Sequence, residues 1–214
     1  ELIECFQKSN TGTPVSNILK QDALKLHDSQ QSALDSIEQH NFNCYLLDGV
    51  TGSGKTEIYL QAIEKTLRYD RQALVLIPEI SLTPQTEKRF RDRFNVPIVT
   101  LHSGLTDKNR LAAWASAKTG DARIILGTRS AVFTPLCQPG LIIVDEEHDQ
   151  SYKQHEGFRY SARDLAVIRA RRENISIILG SATPSIESLN NCAADRYQHL
   201  VLTDRAGKAV QPTW

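Results

Sequence analysis

Residues 49–57, GVTGSGKTE, set a lysine and a threonine hydroxyl among three glycines, directly behind the apolar run CYLLD. Gly49 to Thr56 satisfy G-x-x-x-x-G-K-[ST], a loop whose backbone N–H groups cradle phosphates while its lysine reaches the terminal ones. The chemistry needs these residue types. Glycines let the backbone curl round an anion at positive φ, and a helix starting just behind the loop adds the favourable end of its dipole. Gly52, Ser53 and Gly54 are expected to present their N–H groups to a triphosphate, with Gly49 and Thr51 completing the loop. Lys55 is expected to contact the β- and γ-phosphates, and Thr56 to bind Mg²⁺.

A second constellation, LIIVDEEHD (141–149), ends an apolar strand in acids. Behind a phosphate loop, Asp145 is suited to hold Mg²⁺ through water, and Glu146 to orient and deprotonate an attacking water. Lys55, Asp145 and Glu146 are thus the expected catalytic set. The extra carboxylate Glu147 and the imidazole of His148 suggest coupling to something beyond the phosphate. GSATPS (180–185) brings hydroxyls to the end of another strand, where Ser181 and Thr183 could sense loss of the γ-phosphate. Thr183-Pro184 also reads as a helix start.

The segment SYKQHEGFRYSARD (151–164) interleaves Tyr152, Phe158 and Tyr160 with Lys153, Arg159 and Arg163 around a hinge-like Gly157. Aromatic rings stack on unpaired bases and cations hold phosphates, which is how single strands are bound without sequence preference. Core packing of any one ring is the competing reading. His148 and this loop follow the acidic turn and so are expected to report bound DNA to Glu146. His102 and Ser103 of HSG, with Thr128, Arg129 and Ser130 of GTRSAVF, end neighbouring strands and are expected to grip backbone phosphates.

These residues need a scaffold that gathers strand ends. Apolar, β-branched runs recur at 44–48, 73–78, 97–102, 123–128, 141–146 and 176–181. Continuous rather than alternating, they read as strands buried on both faces of a parallel sheet. Helical patterns at 55–69, from Thr83-Pro84 onward, at 106–118 and at 161–172 separate them, and Ser161 with Asp164 resembles a capping box. The expected fold class is α/β, a mostly parallel sheet with helices on both faces and functional loops at the carboxyl ends of the strands. Residues 1–22 depart from this rhythm and read as the tail of a preceding domain or a linker. Residues 23–204 form the expected lobe, and 205–214 read as a linker toward a further one.

Composition excludes little but bounds the answer. The 214 residues carry 25 Lys+Arg against 25 Asp+Glu, so any nucleic-acid patch must be local. Cys5, Cys44, Cys137 and Cys192 are too scattered for a zinc or redox pair and read as free thiols in a reducing cytosol. No apolar run approaches the roughly 18–20 residues of a membrane span, and no signal peptide is visible. A cytoplasmic, nucleoid-associated protein with no membrane partner is expected. The chain begins at Glu1 and has no methionine, which predicts a piece of a longer protein. A kinase or nucleotide switch with a small-molecule acceptor remains an alternative. It would predict indifference to DNA and leave the aromatic–basic loop without a role.

Taken together, these strings resemble the first RecA-type lobe of superfamily 2 helicases, and within them the bacterial replication-restart helicases. Beside GVTGSGKTE, the likeness rests on LIPEISLTPQT, HSGL, GTRSAVFTP, DEEHDQSYKQHEGFRYSARDLAV and ILGSATPS, and spans about residues 26–207. LHDSQ (26–30) resembles the family's adenine-recognising stretch, which assigns that role to Gln30, although His27 stands where an asparagine is expected. The resemblance implies ATP and Mg²⁺ as cofactors, and single-stranded and forked DNA as partners. It further implies primosome proteins and single-stranded DNA-binding protein as partners, and 3′-to-5′ unwinding. It implies that the aromatic loop links DNA to ATP turnover. Elsewhere in the family lie an N-terminal DNA-binding domain, a winged helix and a second RecA-like lobe. That lobe supplies an arginine finger and an inserted zinc-binding cysteine cluster, for which no cysteine here is suitably spaced.

Overall fold

Runs such as ALVL and SIIL present apolar side chains on both sides of an extended chain, so they fold only where both faces are covered. The computed structural model describes residues 17–38 and 41–203; the expected 205–214 linker and most of the 1–22 tail fall outside them. In chain order the elements are α1 (Asp28–Ser36), β1 (Cys44–Gly49), α2 (Lys55–Arg68), β2 (Gln72–Leu76), α3 (Pro84–Arg93) and β3 (Ile98–Leu101). Next come α4 (Asp107–Thr119), β4 (Ile124–Gly127), β5 (Pro139–Val144), β6 (Lys153–Gln154) and β7 (Tyr160–Ser161). The chain continues through α5 (Ala162–Glu173), β8 (Ser176–Ser181), α6 (Ile186–Ala193) and β9 (Gln198–Leu202).

Seven strands form one sheet in the order β3-β4-β2-β5-β8-β1-β9, and every neighbouring pair is parallel. β6 and β7 pair separately as a small antiparallel ribbon. The period of two sorts each strand between two apolar layers. Tyr45, Leu47 and Ile178 join α2 side chains such as Ile58 and Ile63 on one face. Cys44, Leu46, Ile177 and Leu179 face the other, against Ala117 of α4 and Ala162, Ala166 and Ala170 of α5. Small alanines let α5 approach the sheet closely. Residues 17–20 run beside the end of α3, where Leu19 bridges Phe94 and the Asn95 N–H donates to Ile18 O at 2.8 Å.

The expected inner strands are the buried ones, and β2, β4 and β8 are enclosed at every position. β9, not expected from the sequence, is an edge strand mostly open to solvent; QHLVL has only three apolar residues in a row after two polar ones, too short a run to give the signal of a buried strand. Helix caps follow the local chemistry. Thr83 caps α3 with Pro84 at its first turn, Thr106 caps α4 through the Asn109 N–H, and Ser161 caps α5 through the Asp164 N–H. The expected helix start at Thr183-Pro184 is corrected by two residues. The N-cap of α6 is Ser185, whose Oγ accepts the Ser188 N–H, because Glu147 draws the Ser185 backbone in and fixes that residue outside the helix.

Ile178 is fully enclosed in β8, the strand between the two that carry the phosphate loop and the acids. Ile178→Ala is expected to cost about 2–5 kcal/mol of stability, measured by urea unfolding of this chain.

Candidate functional site

The carboxyl ends of β1, β8 and β5 lie side by side, so the loops after them meet. The β1 loop turns at Gly52 (φ 83°) and Gly54 (φ 88°), both in the left-handed region that glycine takes without strain, and Gly54 caps α2. Lys55 is buried, and its ammonium donates to Gly49 O at 2.6 Å; the Ser53 N–H donates to Val50 O at 3.0 Å. Two of the expected phosphate donors are therefore engaged by the loop's own carbonyls. Gln30, buried in α1, donates its side-chain amide to Ser53 O at 2.8 Å and accepts from the His27 N–H at 2.9 Å. It thus braces the loop from behind.

A cavity of about 560 Å³ opens over this loop, lined by Thr51, Lys55, Thr56, Asp145 and Glu146, and farther out by Leu24, Arg89 and Arg93. The outer wall is built by a residue sequence reasoning missed. Glu57 accepts from Arg93 (3.0 Å), from the Leu24 N–H (3.1 Å) and from Gln61 (2.8 Å), binding segment 22–24 and α3 to the first turn of α2. Its place immediately after the loop threonine, where a helix start favours a carboxylate, was the available signal.

The three consecutive acids meet different fates. Asp145 accepts from the Tyr59 hydroxyl at 3.0 Å, and burial followed by the neighbouring Glu146 charge raises its carboxyl above the ordinary range. Glu146 adopts φ 45°, uncommon for a residue with a side chain, which turns the chain out of β5 into the cavity wall. Glu147 is turned the other way and fully buried. Its carboxylate accepts from Ser185 N (2.7 Å), the Ser188 hydroxyl (2.9 Å), the Ser185 hydroxyl (3.1 Å) and Arg163 Nη1 (3.1 Å). His148 bridges the two expected sensing hydroxyls, with Nδ1 2.7 Å from Ser181 Oγ and Nε2 3.2 Å from Thr183 Oγ1; Glu146 Oε2 lies 3.7 Å away.

Ser103, Thr128, Arg129 and Ser130 share a second cavity of about 350 Å³ with Phe158 and Tyr160. His102, expected with them, instead accepts from the Gly104 N–H and lines a separate groove between α3 and α4. Arg129 does not stand free. Its Nη1 donates to Ser151 O (3.1 Å) and Lys153 O (2.9 Å), tying the loop after β4 to the aromatic segment. Phe158 is 78% exposed, and Lys153 and Arg159 are exposed beside it. Tyr160 packs edge-on against Phe133 (centroids 5.0 Å) and tilted against Phe158 (6.0 Å); Phe133 was missed because its string was read for its polar residues.

Tyr152 corrects an expectation. It is 1% exposed, and its hydroxyl donates to Asp145 O at 2.6 Å and Leu76 O at 3.0 Å. A ring enclosed this way cannot stack on a base; it fixes the main chain under the acids.

Mg²⁺ is a hard cation that takes oxygen ligands, keeps several waters and often shares substrate phosphates. The Thr56 hydroxyl and Asp145 carboxylate, both on the first cavity, fit that demand. Among the described residues no group of three or more His, Cys, Asp or Glu could hold a metal by itself, and no helix is long and apolar enough to cross a membrane.

The DEAD/DEAH box helicase family model matches residues 27–192. "Replication restart protein PriA" of Haemophilus influenzae is 53% identical over 206 residues, which are 96% of this chain and 28% of that protein. The protein of the same name from Bacillus subtilis is 43% identical over 197 residues, 90% of this chain and 24% of its own. The chain thus spans about a quarter of the length of these relatives. The Pyrococcus furiosus Hef helicase domain superposes with a TM-score of 0.63 at 22% identity, covering 87% of this chain and 40% of that one. RecG bound to a three-way DNA junction gives 0.64 at 22%, covering 87% and 25%. These two likenesses bear on the fold, which is the expected α/β, RecA-like lobe.

Removing one partner of a buried ion pair leaves the other charge uncompensated. Glu147→Ala is therefore expected to cost about 3–5 kcal/mol, read by urea unfolding of this chain, and an effect below about 1 kcal/mol would contradict the network described.

Proposed function

This chain belongs to the DEAD/DEAH box helicase family, and on that premise we propose that it is the ATP-binding motor lobe of a DNA-dependent 3′-to-5′ helicase of the replication-restart kind. The observation that carries the reading is the cavity in which Lys55, Thr56, Asp145 and Glu146 converge on one phosphate loop. Its volume lies in the range of small-molecule sites. The ammonium of Lys55 exchanges Gly49 O for the β- and γ-phosphates, and the N–H groups of Gly52, Ser53 and Gly54 turn to the same anion. Gly49 and Thr51 complete the loop. Thr56 and Asp145 hold Mg²⁺, which neutralises phosphate charge when bound. Glu146 orients the attacking water and takes its proton. Base and ribose lie toward Leu24, Arg89 and Arg93, with Gln30 reading the adenine in keeping with the family resemblance.

Coupling to DNA runs through the second cavity. Phe158 stacks on a base with Tyr160 and Phe133 beneath it, and Lys153 and Arg159 hold phosphates. Ser103, Thr128 and Ser130 supply further phosphate contacts, and His102 contacts DNA from the neighbouring groove. Movement of the loop, whose start is held by Arg129, reaches the acids through Arg163, and Ser181 and Thr183 register the γ-phosphate through His148. By resemblance, a second lobe outside this chain supplies the arginine finger and a zinc-binding cluster. The intact protein works in the bacterial cytoplasm at the nucleoid, on single-stranded and forked DNA, with primosome proteins and single-stranded DNA-binding protein. Domain limits of 23–204 for the lobe, with linking segments on either side, accompany this reading.

Three outcomes are expected. By calorimetry this chain binds ADP and Mg²⁺ but turns ATP over feebly with or without single-stranded DNA; brisk DNA-stimulated turnover would overturn the need for a second lobe. Lys55→Ala removes most nucleotide affinity, whereas Asp145→Asn in the intact protein retains binding and loses turnover. Phe158→Ala in the intact protein lowers DNA-stimulated ATPase more than basal ATPase, since stacking is worth about 1–3 kcal/mol per base. Equal loss of both would make the ring a packing residue.

A further inference from the structure

Lys55 and Tyr59 are four residues apart on α2 and therefore share a helix face. That face turns inward, and Tyr59 is 2% exposed among apolar neighbours such as Ile58 and Ile63. Any aromatic ring could fill this volume. A buried hydroxyl is unfavourable unless bonded, and this one donates to Asp145 Oδ1 at 3.0 Å. The opposite wall is cut to fit it. A side chain at Gly180 of β8 would place its first carbon 2.8 Å from Tyr59 Cζ and closer still to the hydroxyl. Gly180 O in turn accepts the Glu147 N–H at 2.9 Å. The phenol thus sits where the helix of the phosphate loop, the acidic turn and the strand leading to Ser181 come within bonding distance.

We propose that Tyr59 is a positioning residue for Asp145: its hydroxyl pins the carboxylate in the orientation that accepts Mg²⁺ with a nucleotide, and Gly180 provides the room it needs. This rests on the reading of Asp145 as a metal-holding residue. Tyr152 supplies the natural comparison. It is equally buried beneath the same turn, but its hydroxyl bonds main-chain carbonyls of Leu76 and Asp145 rather than the carboxylate.

The test compares the affinity of this chain for ADP with and without Mg²⁺, by calorimetry, for the wild type, Tyr59→Phe and Tyr152→Phe, with a thermal melt of each variant. Tyr59→Phe keeps the ring and is expected to bind metal-free ADP within about twofold of wild type. It should lose about five- to tenfold of the affinity gained from Mg²⁺, the scale of the net worth of one ordinary intramolecular hydrogen bond. Tyr152→Phe should melt lower yet keep the Mg²⁺ gain. An undiminished gain in Tyr59→Phe would overturn the proposal, as would an equal fall in metal-free affinity or the same loss of gain in Tyr152→Phe. No Mg²⁺ effect in the wild type would instead overturn the metal reading of Asp145, and this inference with it.

Discussion

The parallel pairing of β8 between β1 and β5 is the constraint on which the rest of this molecule depends. Backbone hydrogen bonds fix the register, pairing Leu46 with Leu179 on one side and Ile143 with Ile178 on the other. Because all three strands run the same way, their carboxyl ends fall together. The phosphate loop, the acidic turn and the SAT segment then become neighbours although they are far apart in the chain. The pairing persists because both faces of these strands are buried under helices; the apolar layers hold the sheet, and the sheet holds the site.

At that edge, burial decides what chemically similar residues can do. Asp145, Glu146 and Glu147 are consecutive carboxylates. Glu147 is enclosed and satisfied by two serines and Arg163, so it is a structural anchor joining α5 and α6 to the acidic turn. Asp145 and Glu146 remain on the cavity wall. The left-handed turn at Glu146 separates them, since it stops the chain from continuing as a strand and sends successive side chains to different neighbours. A similar division separates the aromatics: Tyr152 props the main chain from inside, while Phe158 stands in solvent.

The aromatic segment is long, yet both its ends are held. Arg129 clasps its beginning by two carbonyls, and Arg163, near its end, reaches Glu147 and Ser185. Between these clasps lie the short β6–β7 ribbon and Gly157 in the left-handed region (φ 63°). One guanidinium thus ties the surface loop to the segment after β4 and the other ties it to the acidic turn, because a guanidinium can bond several oxygens at once in a fixed plane.

The sequence by itself determined the α/β class, the five inner strands and the edge strand β3, the phosphate loop and the acidic turn. Those features are local: continuous apolar runs, glycine spacing and capping residues act within a few positions, so their signals are written consecutively. The edge strand β9 escaped because a half-exposed strand carries a weak pattern, and the start of α6 was misplaced because a distant carboxylate, Glu147, competes for Ser185. Tertiary structure alone decided that Tyr152 is a buttress, that His102 faces away from Ser103, that Gln30 braces the loop, and that Glu57, Tyr59 and Phe133 matter to the site. Each of these depends on which residue lies across a gap from which, and that distance is set by sheet register and helix packing rather than by spacing along the chain.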